Sequence, residues 1–200
     1  MKKLFRKIMS RKLLSIISFI CIICLILGFL FISVLSIDNK LLITSSVTSF
    51  FDEIYNKKIM YNDILIKSLS SNLLLNIFIW LLGISIIGIP IVIFILGIKV
   101  FVCSFTFTSI IYTYRFNGIV KAIIYIFPHL INLFLMFVLV YYSVSFSITL
   151  FNYLFRKKDC NRSEFVKRYI ILLIVSCLLL VFSSLIETFL IPFLLNLIKL

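Results

Sequence analysis

The stretch that most constrains this fold runs from Ser71 to Phe101 and reads SNLLLNIFIWLLGISIIGIPIVIFILGIKVF. It belongs to a segment without any charged residue, Ser68 to Ile98. One uninterrupted helix over that segment would be about 46 Å long, more than a hydrocarbon core of roughly 30 Å requires. Gly83, Gly88 and Pro90 interrupt its middle, and Lys99 ends it. The stretch therefore predicts a multipass membrane protein with a span that is broken near its centre.

The composition supports this class. The chain has 200 residues, of which 63% are hydrophobic and 14% charged, whereas soluble domains have about 45–50% apolar residues. Its 22 phenylalanines could not all be hidden in one small water-soluble core. We expect an all-α integral membrane bundle of about five transmembrane helices.

The net charge of +13 is concentrated in short segments beside the apolar runs. Basic residues cluster at Lys2, Lys3, Arg6, Lys7, Arg11 and Lys12, and again at Arg156, Lys157, Lys158, Arg162, Lys167 and Arg168. This arrangement is typical of cytoplasmic segments of membrane proteins, and it argues against a nucleic-acid partner. The bilayer itself is the expected partner of these charges, through its anionic headgroups.

The apolar segments predict five crossings, with the N-terminus in the cytoplasm and the C-terminus outside. The expected spans are 13–37, 72–97, 100–116, 128–155 and 169–191. The first is too long for a signal peptide and is expected to remain as an anchor. Lys99 is expected in a cytoplasmic turn, and 118–127 in a short re-entrant or interfacial piece. A sixth crossing at 118–127 would place the basic loop outside and is disfavoured.

The regions outside the spans differ in charge. Residues 1–12 form a basic cytoplasmic N-terminus, 38–70 an extracytoplasmic amphipathic segment, and 71–200 a four-helix membrane region with a basic cytoplasmic loop at 156–168. Within 38–70, apolar residues recur at helical spacing from Val47 to Tyr55. Such a helix could rest on the outer leaflet, present a face to a partner, or pack on its own bundle.

Small residues and prolines mark expected packing surfaces and breaks. Gly83, Ser85 and Gly88 would allow another helix to approach closely. Pro90 cannot donate a backbone hydrogen bond, so a kink or break is expected there, and Pro128 is expected to break the next long run.

Two polar residues within apolar runs are candidates for function. Glu187 is the only acid inside an expected span, and it shares a helix face with Ser176 and Ser183. Glu187 lies about one turn before Pro192, near the end of its expected span. It could be structural, or it could handle protons or ions. His129 is the only histidine and could cap a helix, join two spans, or act as a ligand or base.

No catalytic or cofactor-binding pattern is present in the sequence. One histidine excludes the His-Glu-x-x-His zinc pattern, and no pair of intramembrane aspartates is available for protease chemistry. Cys21 and Cys24 have metal-like spacing, but two small apolar packing residues explain them better. We expect a protein that is not an enzyme, without metal or cofactor.

Several features stand in a fixed order along the chain. They are Asn72, the run Trp80-Leu-Leu-Gly83-Ile-Ser85-Ile-Ile-Gly88-Ile-Pro90-Ile, Lys99, Asn117-Gly118, Pro128-His129, Arg168-Tyr169, Ser183-Ser184, Glu187 and Pro192. In this order the chain resembles the stage II sporulation protein M family. It departs from the sporulation subgroup at Val100, Ser104 and Thr108, where the subgroup carries glycines. The glutamate that the wider family has shortly after Pro-His is also absent; Leu133 or its neighbours stand there.

The resemblance implies a specific function. It implies that the chain, like the family it resembles, is a membrane scaffold that works with stage II sporulation proteins D and P, which degrade peptidoglycan. The expected role is therefore a non-enzymatic anchor for septal wall thinning and forespore engulfment, in the mother-cell membrane at the sporulation septum. Two alternatives stay open: a transporter or channel subunit, suggested by the broken spans, and an accessory subunit of an export system.

Overall fold

A computed structural model describes residues 2–55, 61–156 and 162–197, and nearly all of these residues are helical. The helices are α1 (Lys2–Val34), α2 (Ile37–Tyr55), α3 (Tyr61–Leu82), α4 (Gly88–Tyr114), α5 (Phe116–Arg156), α6 (Arg162–Leu185) and α7 (Ile191–Leu197). A π-helical segment, Ile186–Leu190, joins α6 to α7. Parts of the predicted segments 38–70 and 156–168 lie outside the described residues, as do the side chains of residues 1–10.

Five helical stretches are long and apolar enough to cross a membrane. They are Arg11–Val34, Leu65–Leu82, Gly88–Tyr114, Phe116–Tyr153 and Val166–Leu195. Large apolar side chains such as Phe94 and Phe134 are exposed on the surface of these stretches, as a lipid-facing surface requires. The expected fold class, an all-α membrane bundle of about five spans, is confirmed.

The core of the bundle lies where α1, α3, α4 and α5 meet. Ile17, Ile79, Leu96 and Leu139 are almost completely buried there. Because lipid is as apolar as these side chains, close packing rather than the hydrophobic effect must hold the helices together. Small residues at the helix crossings are therefore important for this fold.

The long run at 71–101 is two spans, not one. Helix α3 ends at Leu82, the turn 83–87 follows, and α4 begins at Gly88. Backbone bonds of the i to i+3 kind close the turn, including Ser85 N to Leu82 O at 3.1 Å. A Cβ atom on Gly88 would overlap the Leu82 carbonyl and lie 2.7 Å from its carbon, so the return of the chain requires glycine here.

This turn corrects three expectations. Ser85 is exposed in the turn and is not a helix-packing residue. Pro90 does not break a span, because it lies in the first turn of α4, where no helical hydrogen bond is lost. Lys99 is not in a turn; it lies near the middle of α4. The expected boundaries at 72–97 and 100–116 were wrong for the same reason.

Pro128 does not interrupt its helix either. Helix α5 is continuous from Phe116 to Arg156 with Pro128 inside it, so 118–127 is part of this helix and not a re-entrant piece. Pro128 is completely buried, and the Ser183 hydroxyl donates to its carbonyl at 3.2 Å. The carbonyl that loses its helical donor at a proline is the one four residues earlier, here that of Ile124, so the Ser183 bond does not replace the missing one; it fixes α5 to α6 at this point.

Helix α2 packs on its own bundle, one of the three possibilities for the 38–70 segment. Its residues Phe51 and Ile54 are buried against α4, α5 and α7. The Lys121 ammonium lies 3.9 Å from the ring centre of Tyr114 and 5.4 Å from that of Tyr55. Cation–π contacts therefore connect α2, α4 and the first turns of α5.

Candidate functional site

Polar side chains from three helices meet at mid-depth in the bundle. Asn72 and Asn76 come from α3, Lys99 from α4 and Asn132 from α5, each near the middle of its candidate span. These residues line a cavity of about 210 Å³. The remaining lining residues are Leu75, Val102, Cys103, Thr106, Tyr125, Ile126, His129, Leu133, Met136 and Leu180.

Glu187 and His129 form a pair beside this cavity. His129 Nε2 lies 3.7 Å from Glu187 Oε1, and the side chains are 30% and 15% exposed. The Ser68 hydroxyl donates to Glu187 Oε2 at 2.6 Å, which stabilises the carboxylate. The ring of Tyr125 lies 4.9 Å from the His129 ring, centre to centre. Glu187 thus has partners from α3 and α5 and is held in place.

The local helix geometry explains how Glu187 reaches this position. Pro192 lacks the N–H that would bond to the Thr188 carbonyl in a regular helix, and the chain widens into the π-helical segment just before it. The Thr188 hydroxyl donates to the Ser184 carbonyl at 2.9 Å. This part of the chain lies against α5 near Pro128. Ser183 donates to the Pro128 carbonyl, and Glu187 lies beside His129.

Several polar atoms of the cavity lack hydrogen-bond partners within the described part of the chain. Both side-chain atoms of Asn132 and the Nε2 atom of His129 are buried without a hydrogen bond. No described carboxylate lies within ion-pair distance of the Lys99 ammonium. Asn76, in contrast, donates to the Ser176 hydroxyl at 2.8 Å. Unsatisfied buried groups are rare and indicate an occupant such as water, an ion or a ligand.

A second cluster joins three helices at the end of the bundle that carries the 83–87 turn. The Tyr169 hydroxyl donates to the Trp80 carbonyl at 2.8 Å, and Trp80 Nε1 donates to the Tyr169 carbonyl at 3.3 Å. The same hydroxyl lies 2.9 Å from Ser143 Oγ. A Cβ on Gly83 would overlap the Tyr169 hydroxyl, so glycine leaves room for this contact.

Sequence reasoning identified part of the site. Asn72, His129, Ser183 and Glu187 were singled out, and the structure places them within or beside the same polar region. Lys99 was singled out too, but it was assigned to a turn. Asn76, Asn132 and Tyr125 were missed. The spacing of Asn72 to Asn76 and of His129 to Asn132, one helical turn each, was an available signal.

A comparison with known families agrees with this architecture. The profile of the family described as Stage II sporulation protein M matches residues 16–192, which is most of the chain. The chain belongs to the stage II sporulation protein M family. No curated protein and no solved structure matches it significantly. This family member is a multipass membrane protein related to sporulation.

Proposed function

We propose that this protein is a non-enzymatic membrane scaffold for peptidoglycan-degrading enzymes during engulfment. Stage II sporulation proteins D and P are the proposed partners, and the mother-cell membrane at the sporulation septum is the proposed location. The observation that carries the proposal is the family match over residues 16–192. The basic residues of the N-terminus support a cytoplasmic location for that end, by the positive-inside rule.

This orientation gives α2 a role. With the N-terminus inside, α2 lies on the outer face of the membrane, where peptidoglycan and its enzymes are found. Phe51 and Ile54 fix α2 to the bundle, while Ser45, Ser49 and Asp52 are exposed. A rigid helix with a free polar face is well suited to bind an extracytoplasmic partner, because little ordering entropy is lost on binding. We propose that this face contacts the partner enzymes.

The experiment begins with deletion of the gene and complementation. Deletion should leave sporulating cells with a flat septum and with partner enzymes dispersed, as seen by membrane staining and fluorescent fusions. The variant Ser45→Arg/Ser49→Arg should accumulate normally but fail to recruit the partners. The control Asn62→Arg changes an exposed residue near the same face of the membrane and should complement. Normal engulfment in the deletion strain would exclude the proposal.

The cavity favours a second candidate, a transporter or channel subunit. Binding sites near the bilayer midplane, beside irregular helix segments, are common in transporters. The variant Glu187→Gln separates the two candidates. Lost ion flux with normal recruitment of the partners supports transport, whereas lost recruitment without any change in flux supports the scaffold.

A further inference from the structure

We propose that the cavity between α3, α4 and α5 binds a small organic monocarboxylate, with Lys99 as its charged anchor. The inference concerns a ligand site within the membrane and does not depend on the scaffold proposal. It begins from the charges on the cavity wall. Lys99 is basic, and no acidic residue is found among the described lining residues. Glu187 is not a lining residue; it lies 3.7 Å from His129 and accepts a hydrogen bond from Ser68.

Lys99 lies at a depth where a lysine needs a charged partner or water. A lysine near the middle of a span is unfavourable unless it is paired or reaches water, and such residues are functional candidates by default. Lys99 lies near the middle of α4, too far from either end for its ammonium group to be placed at the membrane interface. An anion in the cavity would neutralise the ammonium group, which can offer three hydrogen-bond donors and no acceptor.

The other polar groups are suitable for a carboxylate. Asn132 has an amide nitrogen without a partner, and Asn72 makes only a long contact of 3.5 Å with Ser68. His129 Nε2 is also without a hydrogen bond within the described chain. A carboxylate accepts several hydrogen bonds at once, and those from a charged donor are the strongest. One lysine balances one negative charge, which favours a monocarboxylate over a doubly charged phosphate.

The size and apolar part of the cavity define the rest of the ligand. A volume of about 210 Å³ greatly exceeds the roughly 10–15 Å³ that one water requires. Part of the lining is apolar, with Leu75, Val102 and Met136 among its members. A short alkyl chain would contact these residues while its carboxylate meets Lys99. Phospholipid headgroups lie about 15 Å away at the membrane surface, so a lipid phosphate is a poor candidate.

The test uses the full-length protein in nanodiscs of zwitterionic lipid. Thermal unfolding is followed with increasing sodium butyrate, at constant pH and with chloride replacing butyrate to keep ionic strength fixed. Butyrate should raise the midpoint in a saturable manner, because a ligand that binds only the folded state stabilises it. Acetate should act more weakly than butyrate, and neither n-butanol nor n-butylamine should reproduce the effect.

Two variants link the effect to the site. Lys99→Met should weaken butyrate binding about tenfold or more, since it removes a charge-assisted hydrogen bond. Without ligand, Lys99→Met should be at least as stable as the parent protein, because a costly charge has been removed. Asn132→Ala should weaken binding while keeping Lys99. The control Lys67→Met removes an exposed lysine from α3 and should leave binding unchanged.

Three results would overturn the inference. The first is that butyrate has no saturable effect on the parent protein, which would leave Lys99 to water or to an acidic side chain of a partner helix. The second is that butyrate stabilises Lys99→Met as well as the parent. The third is that n-butanol stabilises the protein equally, because binding would then be apolar and independent of the carboxylate.

Discussion

The crossing of α1 and α4 provides a test of how this bundle is held together. Gly28 of α1 lies directly against α4. A Cβ added at Gly28 would overlap the hydroxyl oxygen of Ser104 and lie 2.6 Å from the Phe101 carbonyl oxygen. The second atom belongs to the backbone, so rotation of a side chain cannot relieve the contact. Gly28→Ala must therefore push the two helices apart.

The expected cost can be worked out from this geometry. Overpacking by one carbon in a well-packed core costs about 1–3 kcal/mol, and separation of the helices also loses favourable packing elsewhere on the interface. Alanine recovers up to about 1 kcal/mol through its higher helix propensity. We expect a net loss of about 1–2 kcal/mol. Since packing is the main force between helices in lipid, this is a large fraction of the interface energy.

The measurement is thermal or denaturant unfolding in a fixed detergent or nanodisc. Gly97→Ala is the matched control on the same pair of helices, because its Cβ would meet only Cys24 Sγ at 3.1 Å. It should change stability by less than Gly28→Ala. Ser104→Gly should rescue Gly28→Ala only partly, as the Phe101 carbonyl remains. Equal effects of Gly28→Ala and Gly97→Ala would refute the close-contact argument.

Three further predictions concern polar contacts. Glu187→Gln should lower stability by about 1–3 kcal/mol, since Ser68 then loses a charged acceptor; a more stable variant would contradict this. Tyr169→Phe should cost about 1–2 kcal/mol by removing the donor to the Trp80 carbonyl, and unchanged unfolding would show that the contact contributes little. Lys121→Met should increase protease cleavage within α2 by loss of cation–π contacts; unchanged cleavage would leave apolar packing alone to hold α2.

The fold class could be predicted from the sequence because hydropathy and charge act over whole segments. Twenty apolar residues must be helical in lipid, and basic residues resist transfer across the membrane. The turn at 83–87 could not be located in this way. Its residues Ile84, Ile86 and Ile87 are as apolar as the spans on either side, so no polar signal separates α3 from α4. Gly88 was predicted to interrupt this run and to allow close packing, but within one broken span and not between two spans.

The prediction of a break at Pro128 was wrong for another reason. A proline removes one hydrogen bond, but tertiary contacts decide whether the helix then ends. Pro128 leaves the Ile124 carbonyl without its helical donor, but the proline ring is completely buried and Ser183 of α6 donates to the Pro128 carbonyl, so packing against α6 stabilises the continuous helix. The sequence contains both residues, 55 positions apart, yet nothing in the sequence alone indicates that they meet.

The error at the turn also concealed the candidate site. A lysine in a cytoplasmic turn is solvated and needs no partner, whereas a lysine near the middle of a span is unfavourable by a few kcal/mol. Helix α4 begins at Gly88 and not near residue 100. Lys99 is therefore a charged residue in the lining of a cavity, and not the marker of a cytoplasmic turn. The same shift places Asn72 and Asn76 at mid-depth instead of near the start of a span. The location of one apolar turn thus determines both the helix boundaries and the chemistry available within the membrane.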